Sequence, residues 1–179
     1  MIDKILRYLD LSFRNVPTSV IVGMLLIFCL GTVLLFSFLG KKKGLRWTVR
    51  LLLFEYLCLL IIFAVLTRNV QGERLFSFSP FWSYRSVRKC GYRLLLTQII
   101  ANVTAFIPVG LLLGCAFPRI KWWKVLLIGG GFSVLIETLQ FVFMRGFTEF
   151  DDLFHNVLGC LIGYGIYVGI AYLVKRCQR

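Results

Sequence analysis

NVTAFIPVGLLLGCAFPRIKWWKVLLIGGGFSVLIETLQFVFMRGFTEFDDLFHNVLGCLIG, residues 102–163, decides the fold. It is made of apolar runs with short connectors, and Asn102, Glu137, Gln140, Glu149, Asp151, Asp152 and Asn156 lie in or beside those runs. A run of about 20 apolar residues, rising about 1.5 Å each, is long enough to cross the hydrocarbon core of a bilayer. A carboxylate at the centre of such a helix costs about 2.5 to 3.5 kcal/mol on insertion scales, so Glu137 must face protein or water rather than lipid.

The rest of the chain belongs to the same class. Of 179 residues, 59% are hydrophobic and 16% charged, against about a quarter charged in soluble domains, and the mean hydropathy is +0.82. Five segments are long and apolar enough to span, at approximately 18–39, 47–66, 93–117, 123–144 and 153–174. The expected fold is an all-α integral membrane protein, a compact bundle of five transmembrane helices. Ile2, Ile5, Leu6, Leu9 and Phe13 recur at helical spacing, which predicts a short amphipathic segment lying in the interface before the first span. That first span is too long for a signal-peptide core, and no small-residue cleavage site follows it.

The net charge of +13 does not point to nucleic acid, because the basic residues flank spans instead of forming a continuous face. Anionic lipid headgroups are the fitting partner. Lys41, Lys42, Lys43, Arg46 and Arg50 crowd the first connector, Arg119, Lys121 and Lys124 the third, and Lys175, Arg176 and Arg179 the C-terminus. The positive-inside rule makes those segments cytoplasmic, which puts the N-terminus and the acidic fourth connector outside the cell membrane. Lys4, Arg7 and Arg14, with Arg68, Arg74, Arg85, Arg88 and Lys89, weigh the other way, so the orientation rests on local density in short loops. The six cysteines show no CxxC pair and no His at metal spacing.

Depth then sorts the polar residues. Ser133, Glu137 and Gln140 share a helix face, with Glu137 about 12 Å below the Arg145 end of its span. Asp152, Asn156, Gly159 and Gly163 form a second stripe, acidic at one end and backbone-bare below, where another helix can approach closely. Asn102 lies about 13 Å in from Arg93 on the third span, above Phe106 and Gly110 and close to Pro108. Three helices thus offer polar groups to one half of the membrane, which predicts an outward-opening polar pocket of Asn102, Glu137, Gln140, Arg145, Glu149, Asp152 and Asn156.

The run Asn102 to Leu111 resembles the N-x-x-x-F-I-P-x-G-x segment of the VanZ-like family. Ser133 through Gln140 is similar to that family's E-x-x-Q block, and Glu149, Asp152, Asn156 and Gly159 to its D-x-x-D-x-x-x-N-x-x-G signature, with Glu149 in place of the first Asp. Phe78-Ser79-Pro80-Phe81-Trp82 resembles its N-L-x-P-F segment, with Ser77 where an Asn is common. The resemblance divides the chain into 1–46, an N-terminal interfacial segment with an extra span, and 47–179, a VanZ-like transmembrane unit. It implies lowered susceptibility to teicoplanin-type glycopeptide antibiotics.

Three readings of the polar cluster stand. In the favoured one it binds an outer-leaflet or cell-wall-linked molecule, such as a cell-wall precursor, a lipid-anchored polymer or a lipoglycopeptide. Asn102, Gln140 and Asn156 would orient polar groups there, and Glu149 and Asp152 could hold a divalent cation; no other cofactor is expected. In the second, a membrane-embedded enzyme uses Glu137 as general acid and Asp152 as base on a lipid-linked envelope substrate. In the third, the polar groups are interhelical glue, with Arg145 pairing Glu149 or Asp152, or they line the path of a small transporter. Glu55 on the second span reads as a packing residue. His155, the one histidine, sits beside the acidic segment, where it could transfer a proton, but falls off the Asp152 and Asn156 face; the aromatic connector from Phe76 to Tyr84 is either a lid or an interface belt. The oligomeric state is not legible.

Overall fold

A computed structural model describes residues 43–66, 68, 70, 72–85 and 93–178. The amphipathic N-terminal segment, the span at 18–39, Cys29 and Cys90 lie outside the described residues. Helix α1 (Lys43–Ile61) runs into a π-helical turn (Ile62–Leu66) and is followed by strand β1 (Leu75–Ser77). Then come α2 (Arg93–Ala116), α3 (Trp122–Val142), strand β2 (Phe147–Glu149) and α4 (Phe150–Cys177). Four of the expected spans are thus helices long and apolar enough to cross a membrane. The all-α membrane bundle is the observed architecture.

Successive helices run in opposite directions. Arg119, Lys121, Lys124, Lys175 and Arg176 therefore share one end of the bundle, the basic end. The π turn, both strands and the start of α4 share the other, the acidic end. α4 begins at Phe150, three residues earlier than its apolar run, which puts Asp151 and Asp152 in its first turn and Lys175 and Arg176 in its last. Both placements complement the helix dipole.

α2 and α4 pack backbone against backbone. A methyl group at Gly110 would collide with the Cys160 carbonyl, one at Gly163 with the Ile107 carbonyl, and one at Gly159 with the Val103 carbonyl. Small residues at these places let the helices approach without a hydrophobic drive between them. α2 passes through Pro108 as an unbroken helix, and in the turn before it Tyr56 of α1 donates its hydroxyl to the Ala105 carbonyl at 2.8 Å. Phe106, Val109, Leu113, Val125, Ile136 and Cys160 form the apolar core among the four helices. Trp47, Trp122 and Trp123 are exposed at the basic end, as interface anchors are.

The acidic end has a feature the hydropathy pattern does not predict. β1 and β2 pair in parallel, Leu75 opposite Phe147 and Ser77 opposite Glu149, and Val70 bridges Arg145 in the antiparallel sense. Two connectors are thereby joined into a cap over the helix ends. Met144 (φ 51°) and Gly146 (φ 109°) turn the chain out of α3 and into β2. At Gly146 a Cβ would be strained and would also stand 2.9 Å from Arg68 Nη1.

Candidate functional site

Three residues of β2 and the first two turns of α4 supply most of the site. All of Phe147, Thr148 and Glu149 are buried, as are Asp151, Asp152, His155 and Asn156. Glu137 reaches them from α3 and accepts a hydrogen bond from the Glu149 backbone N–H at 3.1 Å. Four carboxyl groups, Glu137, Glu149, Asp151 and Asp152, therefore sit together with none more than 9% exposed.

The two aspartates divide the work because adjacent helical residues point about 100° apart. Asp151 turns to the connector and accepts from the backbone N–H groups of Phe81 (2.6 Å) and Ser83 (2.9 Å). That clamp holds Phe81 in a left-handed conformation, φ 56°. Asp152 turns inward, where Gln98 of α2 divides its amide N–H groups between Asp152 Oδ2 (3.4 Å) and Glu149 Oε1 (3.3 Å). The Ser83 hydroxyl donates to Glu149 Oε2 at 2.8 Å. His155, one turn on from Asp152, has Nδ1 3.8 Å from Asp152 Oδ1 and Nε2 2.8 Å from the Tyr84 hydroxyl. One turn deeper, Asn156 donates to the Ser133 hydroxyl at 2.8 Å.

Several polar atoms here are buried without partners. Gln98 Oε1 and Asn156 Oδ1 are buried without a partner, and the Thr148 hydroxyl and His155 Nδ1 are likewise unbonded. Burial, then the neighbouring Asp152 carboxylate, pushes the Glu149 carboxyl up to about 8, although the bonds from Ser83 and Gln98 pull the other way. Burial and the Asp151 carboxylate also raise the Tyr84 phenol.

Beside the cluster a cleft of about 290 Å³ opens between α3 and α4. Phe78, Val134, Phe141, Phe150 and Leu153 line it, with Glu137, Thr138, Thr148 and Glu149 as its polar residues.

Of the residues predicted from sequence, Glu137, Glu149 and Asp152 are brought together, with Asn156 just below. Gln140 donates instead to the Ala64 carbonyl of the π turn at 3.0 Å. Arg145, which the sequence offers as a partner for the acids, donates to the carbonyls of Leu66 (2.7 Å) and Arg68 (3.0 Å). Asn102 is half-buried, its amide nitrogen unbonded. Gln98, Ser83, Asp151, Tyr84 and His155 join the site from outside the predicted pocket residues. Gln98 was within reach of sequence reasoning, since it lies one helical turn before Asn102. Glu149 and Asp152 share the Gln98 amide, and among the described residues no group of three or more His, Cys, Asp and Glu side chains could hold a metal ion.

Fold and site together define a multi-pass helical membrane protein with a polar, carboxyl-rich site built into one membrane-facing end. The sequence pattern of the family described as VanZ/LLP1 matches residues 51–174, and the chain belongs to that family. Protein VanZ of Enterococcus faecium is 34% identical over 95 residues, 53% of this chain and 53% of the relative, so the match spans about half of each. No solved structure matches this chain.

Proposed function

We propose that this protein lowers the susceptibility of its cell to teicoplanin-type glycopeptides by binding an outer-leaflet or cell-wall-linked molecule at the acidic end. The observation that carries the reading is the gathering of Glu137, Glu149, Asp151 and Asp152 in a nearly dry site where several buried polar atoms lack partners. Burying a carboxyl group without a full set of partners is costly, and intramembrane ionisable groups mark functional sites by default. Membrane hydrogen bonds average only about 0.6 kcal/mol, too little for glue to be the reason for so many. The basic clusters at the opposite end support an outward-facing acidic end under the positive-inside rule.

The test is growth under teicoplanin, and under a glycopeptide without its lipid tail, of a susceptible Gram-positive host expressing wild type, Glu137→Gln or Asp152→Asn at matched membrane levels. Protection by wild type that both variants lose is the expected result. Equal protection from all three removes the cluster from the mechanism.

One arrangement favours a second reading, an enzyme acting on a lipid-linked envelope substrate. Asp152, His155 and Tyr84 lie in series from the buried cluster to a hydroxyl group at the surface, with His155 Nδ1 3.8 Å from Asp152 Oδ1 and Nε2 2.8 Å from the phenol oxygen. Such a series orients an imidazole and can pass a proton to or from a bound substrate. A lipid-linked product present in cells with wild type and absent with His155→Gln would select this reading over binding.

A further inference from the structure

Resting on the reading of the acidic end as a binding site, we propose that the cleft between α3 and α4 holds one phospholipid with a primary ammonium headgroup. The cleft is amphiphilic along the bundle axis. Its polar residues Glu137, Thr148 and Glu149 lie beside the cap, the Thr138 hydroxyl is taken up by the Val134 carbonyl, and Val134 continues the wall about 10 Å deeper than Phe141 at the helical rise. Val134, Phe141 and Phe150 are each more than a third exposed on faces of spanning helices, so the cleft opens sideways to hydrocarbon rather than only to water. A lipid tail can enter there without leaving the bilayer. The volume, about 290 Å³, is at the lower end of ligand-sized pockets, roughly 300–1,000 Å³.

Charge selects the headgroup. The Arg74 guanidinium, exposed, stacks 5.4 Å from the centre of the ring of Phe141, a wall residue of the cleft, and a phosphate lying against that wall would meet it. Behind it Glu149 accepts from Ser83 and Gln98 and Glu137 from the Glu149 N–H, which leaves the Thr148 hydroxyl as the unpaired buried polar group of the wall. The Thr148 hydroxyl lines the cleft, is buried and has no hydrogen-bond partner. Glu137 and Glu149 contribute carboxyl groups to the same wall. A primary ammonium brings a positive charge to the Glu137 carboxyl and an N–H donor to the unpaired Thr148 oxygen. A quaternary ammonium brings the charge without donors, and a glycerol headgroup brings donors but no positive charge to set against the carboxyl groups.

The experiment uses the purified full chain equilibrated with equal amounts of phosphatidylethanolamine, phosphatidylcholine and phosphatidylglycerol of identical acyl chains. Lipid retained after delipidating washes is then counted by native mass spectrometry. Wild type is expected to keep one phosphatidylethanolamine in preference to the other two by about three- to ten-fold, the worth of one or two net hydrogen bonds. Val134→Trp, on an exposed face, fills the cleft and should abolish retention, and the near-isosteric Thr148→Val should reduce the preference several-fold with the protein still monodisperse. Equal retention of the three lipids, preference for phosphatidylglycerol, or retention unchanged by both variants overturns the proposal. Retention is read independently of antibiotic protection. A protein that protects cells but keeps no phosphatidylethanolamine overturns the occupant alone, whereas one that keeps it without protecting overturns the envelope reading and leaves the occupant supported.

Discussion

Glu149 holds its proton in the folded protein over a range where the unfolded chain releases it. Its carboxyl is raised from 4.5 to about 8, so between those values the native state binds more protons than the unfolded state, and stability falls as pH rises. Thermal unfolding in detergent should show that decline, and Glu149→Gln, which mimics the protonated form, should flatten it. Asp151 has a different task, since its two oxygens hold the connector by the Phe81 and Ser83 N–H groups. Asp151→Asn leaves one of those donors facing an NH₂ group and should cost about 1.5 to 3 kcal/mol, the value of a hydrogen bond to a charged group. Limited proteolysis should then cut faster near residues 78–85. Depth alone made Glu137 and Asp152 legible from sequence, because a carboxyl group in an apolar run has few harmless explanations. His155 was not legible as part of the site: one residue from Asn156 it looks off-face, yet it is one turn from Asp152 and meets Tyr84, a partner 71 residues away.

Among the elements, the helices were readable to within a few residues because hydropathy and length suffice to mark them. The glycine stripe on α4 was readable as well, although its partner was not. Only the structure shows that Gly159 and Gly163 meet carbonyls of α2 and that Gly110 answers from the other side. Gly163→Ala should force the two helices apart and destabilise the protein by about 1 to 3 kcal/mol, the usual cost of overpacking. Gly165→Ala, where a Cβ meets open space, is its control in the same unfolding assay. The β1–β2 pairing escaped the sequence because strands of three residues carry no usable alternation, and their register is set by residues more than 70 positions apart. That pairing turns the aromatic connector into a cap, fastened to the carboxyl cluster through Phe81 and Ser83 and to His155 through Tyr84.

At the scale of the whole molecule the bundle is polarised, basic at one end and carboxyl-rich at the other. A cysteine at Gly72, an exposed position with open space around it, should react with a membrane-impermeant thiol reagent in intact cells, measured in a Cys90→Ser, Cys177→Ser background. Labelling only after permeabilisation would invert the topology. The more searching question is whether the carboxyl cluster serves binding or merely holds the helices together. Glu137→Gln keeps an acceptor for the Glu149 N–H and relieves repulsion among crowded carboxyl groups, and sites built for function are commonly less stable than they could be. The thermal midpoint of purified Glu137→Gln beside wild type decides it most directly. A midpoint equal to or above wild type is the predicted result, and a midpoint lowered by many degrees would make the cluster structural and contradict a binding site at the acidic end.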